Sequence, residues 1–506
     1  MVFFAPGNAR KSIALFDTTL RDGEQTPGVS FTTDQKVEIA EQLAGIGVKI
    51  LEAGFPASSA EEREAVRAVV AAKTGATICG LARMRRDDVD ACLECGVDMV
   101  HVFIPTSEVQ REHTVRMSMD EVLAATAEVV GYAREHVGQV LFSPMDATRT
   151  DWDDLVKVCQ TAVAAGATAV NIPDTVGVMT PSATKELIAK VVKEVKAPVD
   201  VHCHNDFGLA VANTLAAVEA GASQVQVTVN GMGERAGNAD LAQTVMALEA
   251  VYGIGTGVET ARLVETSRLV SRHAGLAVPP LQPVVGENAF AHESGIHAHG
   301  VLEHPETFEP GVMTPEMVGH RRRIKFGKHA GRHAVAQMLA DVHLTPTEAQ
   351  LDQVLEKVKA FSGRGRRVTD ADLYAIAEEV VGMGAVTPSV QLSDISVLTG
   401  NHTLPTASIR MVVDGAEKVA CSTGNGPIDA AMRAILGCLP EPVHLKEFSI
   451  EAITGGTDAI GHVTIAVEDR AGHIFDASAS SDDIVTASVD AMINAVNLVR
   501  RAEKEE

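Results

Sequence analysis

The 506-residue chain is 46% hydrophobic and 22% charged, the balance of a globular protein, and is too long for one ordinary domain. Its net charge of −24 argues against nucleic acid as a partner, because the basic runs, Arg321–Arg323 and the region from Arg364 to Arg367, are short. No stretch of about 18 apolar residues is present and Met1–Lys11 lacks the pattern of a signal peptide, so the sequence predicts no membrane span and a cytoplasmic location. The seven cysteines lack disulfide or zinc spacing; Cys92-x-x-Cys95 has no second pair, which fits reduced thiols.

From Ser12 to about Tyr252 short β-rich runs alternate with amphipathic helical patterns. The expected strands are Ile13–Phe16, Lys49–Ala53, Thr77–Leu81, Met99–Ile104, Gln139–Phe142, Ala169–Ile172, Val199–Cys203 and Gln224–Thr228. The helices between them include Thr33–Gly45, Ala60–Ala72, Met119–His136, Asp151–Ala165, Pro181–Val195, Leu209–Ala220 and Ala239–Val251. Glycine followed by Ala or Val before a strand, as at Gly47, Gly75, Gly96, Gly166 and Gly221, marks helix ends turning into strands. Eight such units, roughly 30 residues each, predict an α/β protein built on a (β/α)8 TIM barrel. A doubly wound open sheet is the alternative, weakened by the absence of a Gly-rich dinucleotide fingerprint after the first strand.

The expected division is a catalytic barrel over 1–280, mostly helical linker subdomains over 281–388 and a C-terminal α+β domain over 389–506. In the last segment strands near Ser393–Leu398, Ala407–Val413 and Lys418–Ser422 lead to a helix at Ile428–Leu436. The order then repeats with Leu445–Ala452, Gly461–Val467, Gly472–Ala477 and a helix at Asp482–Arg501. This duplicated β-β-β-α domain gathers few acid–base groups and reads as regulatory or oligomeric.

Barrel enzymes carry their chemistry at the C-terminal strand ends. Here those ends bring polar clusters to one mouth: Asp17–Gln25, Glu52–Pro56, Arg83, Pro105–Ser107, Ser143–Asp146, Asn171–Thr175, His202–Asp206 and Asn230–Asn238. On a strand, residues i and i+2 face the same way, so His202 and His204 share a face. Two imidazoles with Asp22 and the amide oxygen of Asn238 suit a divalent metal, Mg²⁺, Mn²⁺ or Zn²⁺. Such an ion can chelate a 2-oxo acid and polarise its ketone, with Arg21 placed to stabilise the developing alkoxide. The plainer reading of Arg21 is an ion pair with Asp17 or Glu52. Thr175 is a hydroxyl donor to a carboxylate, and Gly23, Gly54 and Gly177 read as turn residues.

Phe16–Gln25, His202–Leu209 and Asn230–Asn238 resemble the signatures of the 2-isopropylmalate, homocitrate and citramalate synthase family, and the likeness extends through His292–Gly300 into the C-terminal domain. The resemblance implies an acyltransferase that condenses acetyl-CoA with a 2-oxo acid, hydrolyses the thioester and acts as a homodimer. It implies Asp22, His202, His204 and Asn238 as metal ligands and Arg21 as electrophilic catalyst. His297 matches a family histidine that reaches the active site from the partner subunit. The substrate pocket falls on Leu81, His101 and Ser143, with 2-oxoisovalerate as the expected substrate and pyruvate, the citramalate synthase substrate, as the alternative. The C-terminal domain is expected to bind leucine as feedback ligand, at the loops of Gly424 and Gly426 and of Gly455 and Gly456. The chain departs from the family in one place: Ser143-Pro144-Met145-Asp146 has Met145 where relatives have a glutamate that works with the histidine. A thioether neither orients a histidine nor accepts a proton. Asp146 is one expected substitute. Phe308 stands where relatives often have tyrosine.

Overall fold

Short hydrophobic strands that feed amphipathic helices close on themselves when each helix packs outside the strand pair it connects. In a computed structural model, which describes residues 12–292, 297, 300–301, 304–324, 332–341, 344–362, 370–381, 389–440, 442–452 and 461–503, this closure is complete. The chain forms two compact units: Met1–Phe290 with Glu309–Arg322, and Ala291–Phe308 with Arg323–Glu506.

The first unit is a closed barrel of eight parallel strands in sequential order. They are β1 (Ala14–Asp17), β2 (Ile50–Gly54), β3 (Thr77–Arg83), β4 (Met99–Pro105), β5 (Gln139–Met145), β6 (Ala169–Asp174), β7 (Val199–Cys203) and β8 (Gln224–Val227). The ring is sealed by β1 against β8, with Ala14 opposite Gln224 and Asp17 opposite Val227. The open-sheet alternative is thereby excluded. Helix starts follow the sequence chemistry: Thr32 and Ser118 each form a reciprocal capping box, with Gln35 and Glu121 respectively.

Two features differ from expectation. Strands β3 to β6 run one to three residues further toward the mouth, ending at Arg83, Pro105, Met145 and Asp174. The ladder stays paired there, with Phe103 opposite Ser143 and Pro105 opposite Met145. Polar residues at these ends therefore belong to strands, not loops. The expected helix Ala239–Val251 is a shorter α-helix, Leu241–Met246, followed by a π-helical segment, Ala247–Tyr252. It starts late because Ala239 is still paired: its N–H donates to Cys203 O and its carbonyl accepts from Thr228 N. Asp240 then caps the helix through Gln243 N.

The second unit contains helices Arg332–Asp341, Glu348–Ser362 and Asp370–Val381, packed on Val335, Leu339, Val354 and Leu373. It also holds a short parallel pair, β9 (Ala291–His292) with β10 (Arg323–Ile324). Two antiparallel sheets follow: β11 (Val390–Gly400), β12 (Thr403–Val413) and β13 (Ala416–Thr423), then β14 (His444–Ala452), β15 (Gly461–Glu468) and β16 (Ile474–Ser481). Helices Pro427–Cys438 and Ile484–Glu503 follow these sheets in turn, and both repeats share one core that includes Ile409, Ile435, Ile465 and Met492. The order of three strands and a helix thus occurs twice along this segment.

One buried cation braces the mouth. Lys36 is 1% exposed, and its Nζ lies 2.7 Å from Glu24 Oε2 and 2.7 Å from Glu62 Oε2. The two carboxylates in turn accept the backbone N–H of Phe31 and of Phe55, so the loops after β1 and β2 hang on one ammonium. Removing one partner of a buried charge network leaves the others uncompensated. Lys36→Met is expected to cost about 3 kcal/mol of stability, read as a lower midpoint of chemical unfolding.

Candidate active site

The alternation of strand side chains decides which residues enter the barrel mouth. A cavity of about 260 Å³ there is lined by Leu81 of β3, His101 and Phe103 of β4, Ser143 and Met145 of β5, Asn171 and Pro173 of β6, His202 and His204 at the end of β7, and Gln226 of β8. Arg21, Asp22 and Gln25 enter from the loop after β1, Thr175 from the loop after β6, and Glu234 and Arg235 from the loop after β8.

Asp22, His202 and His204 converge. Asp22 Oδ2 is 3.0 Å from His202 Nε2 and 3.9 Å from His204 Nε2, and the two ring nitrogens are 3.2 Å apart. All three are buried. Burial pushes the Asp22 carboxyl up, but Arg21 and the two histidines outweigh it and hold it far below the usual carboxylate range. Burial and the neighbouring His202 lower His204 to about 3, so its imidazole is neutral at pH 7. An anionic oxygen and neutral imidazole nitrogens are the protonation states that metal ligation requires. Asn238 joins them through a backbone bridge to His204. Its Nδ2 donates to Met232 O. Its Oδ1, like Asp22 Oδ2 and His204 Nδ1, is buried without a hydrogen-bond partner among the described residues. Two orphaned buried oxygens, Asp22 Oδ2 and Asn238 Oδ1, beside two imidazoles fit a divalent cation. The backbone here admits no side chain at Gly233 (φ +154°), where a Cβ would stand 2.3 Å from Asn238 Nδ2.

A relay fixes His202. Gln226 Nε2 donates to Asp200 Oδ2 at 2.6 Å, which turns Gln226 Oε1 toward His202 Nδ1 at 2.9 Å. This assigns the proton to Nδ1 and leaves the Nε2 lone pair facing Asp22 and His204.

The cationic side of the mouth is organised by Glu52. This fully buried carboxylate accepts from Thr18 Oγ1 at 2.7 Å and Arg21 Nε at 2.7 Å, and its Oε1 pairs with His101 Nδ1 at 2.6 Å. Burial raises the Glu52 carboxyl, but Arg21 and His101 bring it down to about 2. Arg21 thus has the Glu52 partner of its plainer reading, and it also lines the cavity with its Nη1 3.4 Å from Asp22 Oδ2. The chain of bonds continues from His101 Nε2 to Ser143 Oγ at 2.6 Å, and Asn171 Nδ2 donates to the same oxygen at 2.7 Å.

Met145 lines the cavity. The neighbouring Asp146, in a left-handed conformation (φ 65°), does not line it. Its carboxylate is held by a very short bond from Ser107 Oγ and by Arg149 Nε at 2.9 Å to each oxygen. Its N–H donates to Thr175 Oγ1, leaving the Thr175 hydroxyl proton for another acceptor. Asp146 therefore does not replace the missing glutamate, contrary to that expectation.

The other expected residues lie elsewhere. His297 is in the second unit, exposed, with its ring stacked on Phe308 at a centroid distance of 4.2 Å. Gly424 and Gly426 flank Asn425, whose N–H is taken by Asp429 Oδ2 at 2.8 Å, and Gly426 caps helix Pro427–Cys438. Gly455 and Gly456 lie outside the described residues. Cys92 and Cys95 are buried free thiols, and burial pushes both above the ordinary thiol range, away from thiolate. Sequence reasoning brought Asn171, Pro173 and Glu234 to the mouth within polar clusters but gave them no role, and it passed over Phe103 and Gln226 in this cavity and Glu52 as its organiser. Two-residue alternation within the expected strands finds Phe103, Asn171 and Gln226, and extending it one step past the expected end of β6 finds Pro173.

The barrel matches the HMGL-like family model over residues 12–270, which defines the class of the fold and its mouth. Residues 284–366 match a homocitrate synthase post-HMGL domain-like model, and 367–500 match the LeuA allosteric (dimerisation) domain. The chain is 52% identical over 505 residues to a probable 2-isopropylmalate synthase of Methanosarcina acetivorans, covering 99% of this chain and 98% of the relative. It is 54% identical over 497 residues to a probable 2-isopropylmalate synthase of Methanopyrus kandleri, covering 97% and 99%. A putative (R)-citramalate synthase of Methanopyrus kandleri is 47% identical over 493 residues, covering 96% of each chain. The chain belongs to the 2-isopropylmalate synthase family.

Second partners of metal-binding histidines typically carry 10–100-fold in affinity. Replacing Gln226 by Met is expected to weaken Mn²⁺ binding about 30-fold while the far-UV circular dichroism stays unchanged; calorimetric titration of the metal-stripped protein checks it.

Proposed function

We infer that this chain condenses acetyl-CoA with 2-oxoisovalerate to give 2-isopropylmalate and CoA, the first committed step of leucine biosynthesis. The observation that carries the reading is the division of one cavity. Metal-type donors stand on β7 and in the loops after β1 and β8, and across the ring Leu81, Phe103, Met145 and Pro173 supply an apolar wall. A 2-oxo acid with a branched apolar tail has the matching polarity. The named relatives, similar over nearly their whole length, support the same choice.

Asp22, His202, His204 and Asn238 would hold the divalent ion. When bound, such an ion polarises a ketone carbonyl for attack. Arg21, aimed by Glu52, supports negative charge on the ketone oxygen with its remaining N–H groups. The Thr175 hydroxyl donates to the substrate carboxylate. His101 and Ser143, bonded to each other, form a polar floor of fixed shape beside the apolar wall. His297 is assigned to proton transfer from the partner subunit of a homodimer built through the C-terminal domain, which would also bind leucine.

In an apolar pocket one or two missing methyl groups change selectivity by about 10–200-fold. With acetyl-CoA and Mg²⁺ or Mn²⁺, free-thiol release is expected to be at least about 10-fold faster with 2-oxoisovalerate than with pyruvate. The reverse order reassigns the chain to pyruvate condensation. His204→Ala should abolish metal-dependent thiol release, and turnover surviving that change excludes His204 as a ligand. Leucine should slow the full-length protein, and a chain ending at residue 388 that still turns over should ignore it.

A further inference from the structure

A 2-oxo acid brings a carboxylate whose two oxygens accept about four hydrogen bonds. One donor has been assigned to it, the Thr175 hydroxyl. Other donors of the cavity wall are directed elsewhere. Gln226 donates to Asp200, Asn171 to Ser143 and His101 to Glu52. Arg21, bonded to Glu52, serves the ketone oxygen.

Arg235 lines the same cavity from the loop after β8. Its planar guanidinium carries five N–H groups. Nε donates to Asp206 Oδ1 at 2.8 Å, and Nη2 donates to Asp206 Oδ2 at 2.9 Å and to Thr175 O at 2.8 Å. These bonds use the Nε hydrogen and both Nη2 hydrogens. The two hydrogens of Nη1 have no partner among the described residues. Three in-plane bonds to two other loops fix the plane of the group, and with it the direction of Nη1.

The surrounding loops are shaped around this pair. Gly177, in the loop after β6, has φ +63°, and a Cβ there would stand 2.5 Å from Asp206 Oδ2. Asn205 N donates to Gly237 O at 2.9 Å, tying the loop after β7 to the loop after β8. The backbone at Arg235 is left-handed, φ 58°, a conformation that an ordinary residue keeps only when its surroundings hold it. The charge of Arg235 acts on both Asp22 and His204. The guanidinium is thus a neighbour of the metal-type donors, and it bonds the residue whose hydroxyl is assigned to the carboxylate.

We propose that Arg235 Nη1 and the Thr175 hydroxyl together hold the carboxylate of the 2-oxo acid, with Asp206 as the positioning residue that keeps the guanidinium in place. This rests on the condensation inferred above. The contact is made to a group that does not react, so it is as strong in the bound substrate as in the transition state. Its loss therefore falls on KM and spares kcat.

The test uses the full-length protein with Mn²⁺, acetyl-CoA and 2-oxoisovalerate. Arg235→Gln is expected to raise KM for the oxo acid about 10–100-fold, the worth of a hydrogen bond to a charged group. It should leave kcat, KM for acetyl-CoA and Mn²⁺ affinity within about threefold. Asp206→Asn should raise the same KM, and adding Arg235→Gln to it should cost less than Arg235→Gln costs alone. The Arg235 side chain is 42% exposed, so added guanidinium ion can reach its place and should lower the raised KM of Arg235→Ala. An unchanged KM for the oxo acid in Arg235→Gln overturns the assignment and leaves the condensation intact. A loss of Mn²⁺ affinity that matches the rise in KM also overturns it, because the arginine then acts through the metal ligands. Absence of thiol release from the wild-type protein with every 2-oxo acid overturns the condensation and the assignment together.

Discussion

The mouth of this barrel depends on one buried carboxylate. Glu52 is held by a hydroxyl and a guanidinium from the turn after β1 and by an imidazole from β4. A charge removed from water survives only with such compensation. The consequence runs in two directions. Toward β1, the ion pair points Arg21 at the cavity beside Asp22. Toward β4 and β5, it sets the His101 ring, and through it Ser143 and Asn171, in one register. The cationic and polar halves of the site are thus two ends of one hydrogen-bonded system.

The metal half is built by the same logic. Asp200 fixes Gln226, and Gln226 fixes the tautomer of His202. Burial keeps His204 neutral, while Arg21 keeps Asp22 charged. Arg21 is therefore shared between the halves. A change at Glu52 would reach the metal ligands through it although no bond joins Glu52 to any of them.

Much of this was legible in the residues alone. Hydrophobic period and glycine spacing gave eight βα units, and the i, i+2 rule put His202 and His204 on one face before any partner was known. The C-terminal duplication was visible as a repeated order of strands and a helix. Positions that bear on chemistry but sit at the far ends of the ladders were less visible, because Ser143, Met145 and Pro173 lie past the expected strand ends, in stretches whose polar and proline-bearing character reads as loop. Glu52 was noticed only as part of a motif, since three long-range partners define it and none is near in sequence. The orientation of Asp146 was also hidden, because it turns on a positive φ and on contacts with Ser107 and Arg149.

The seam between β1 and β8 has a kinetic meaning. Asp22 follows the first strand of the ring, while His202, His204 and Asn238 come from its last quarter. These groups meet only when the two ends of the barrel sequence have found each other, a contact of long sequence separation and slow formation. A nascent chain lacking its last strands has no ligand set to offer. An ion that binds only the closed ring draws the population of partly assembled barrels toward closure by mass action. The cation would then be an assembly factor for the scaffold before any substrate arrives.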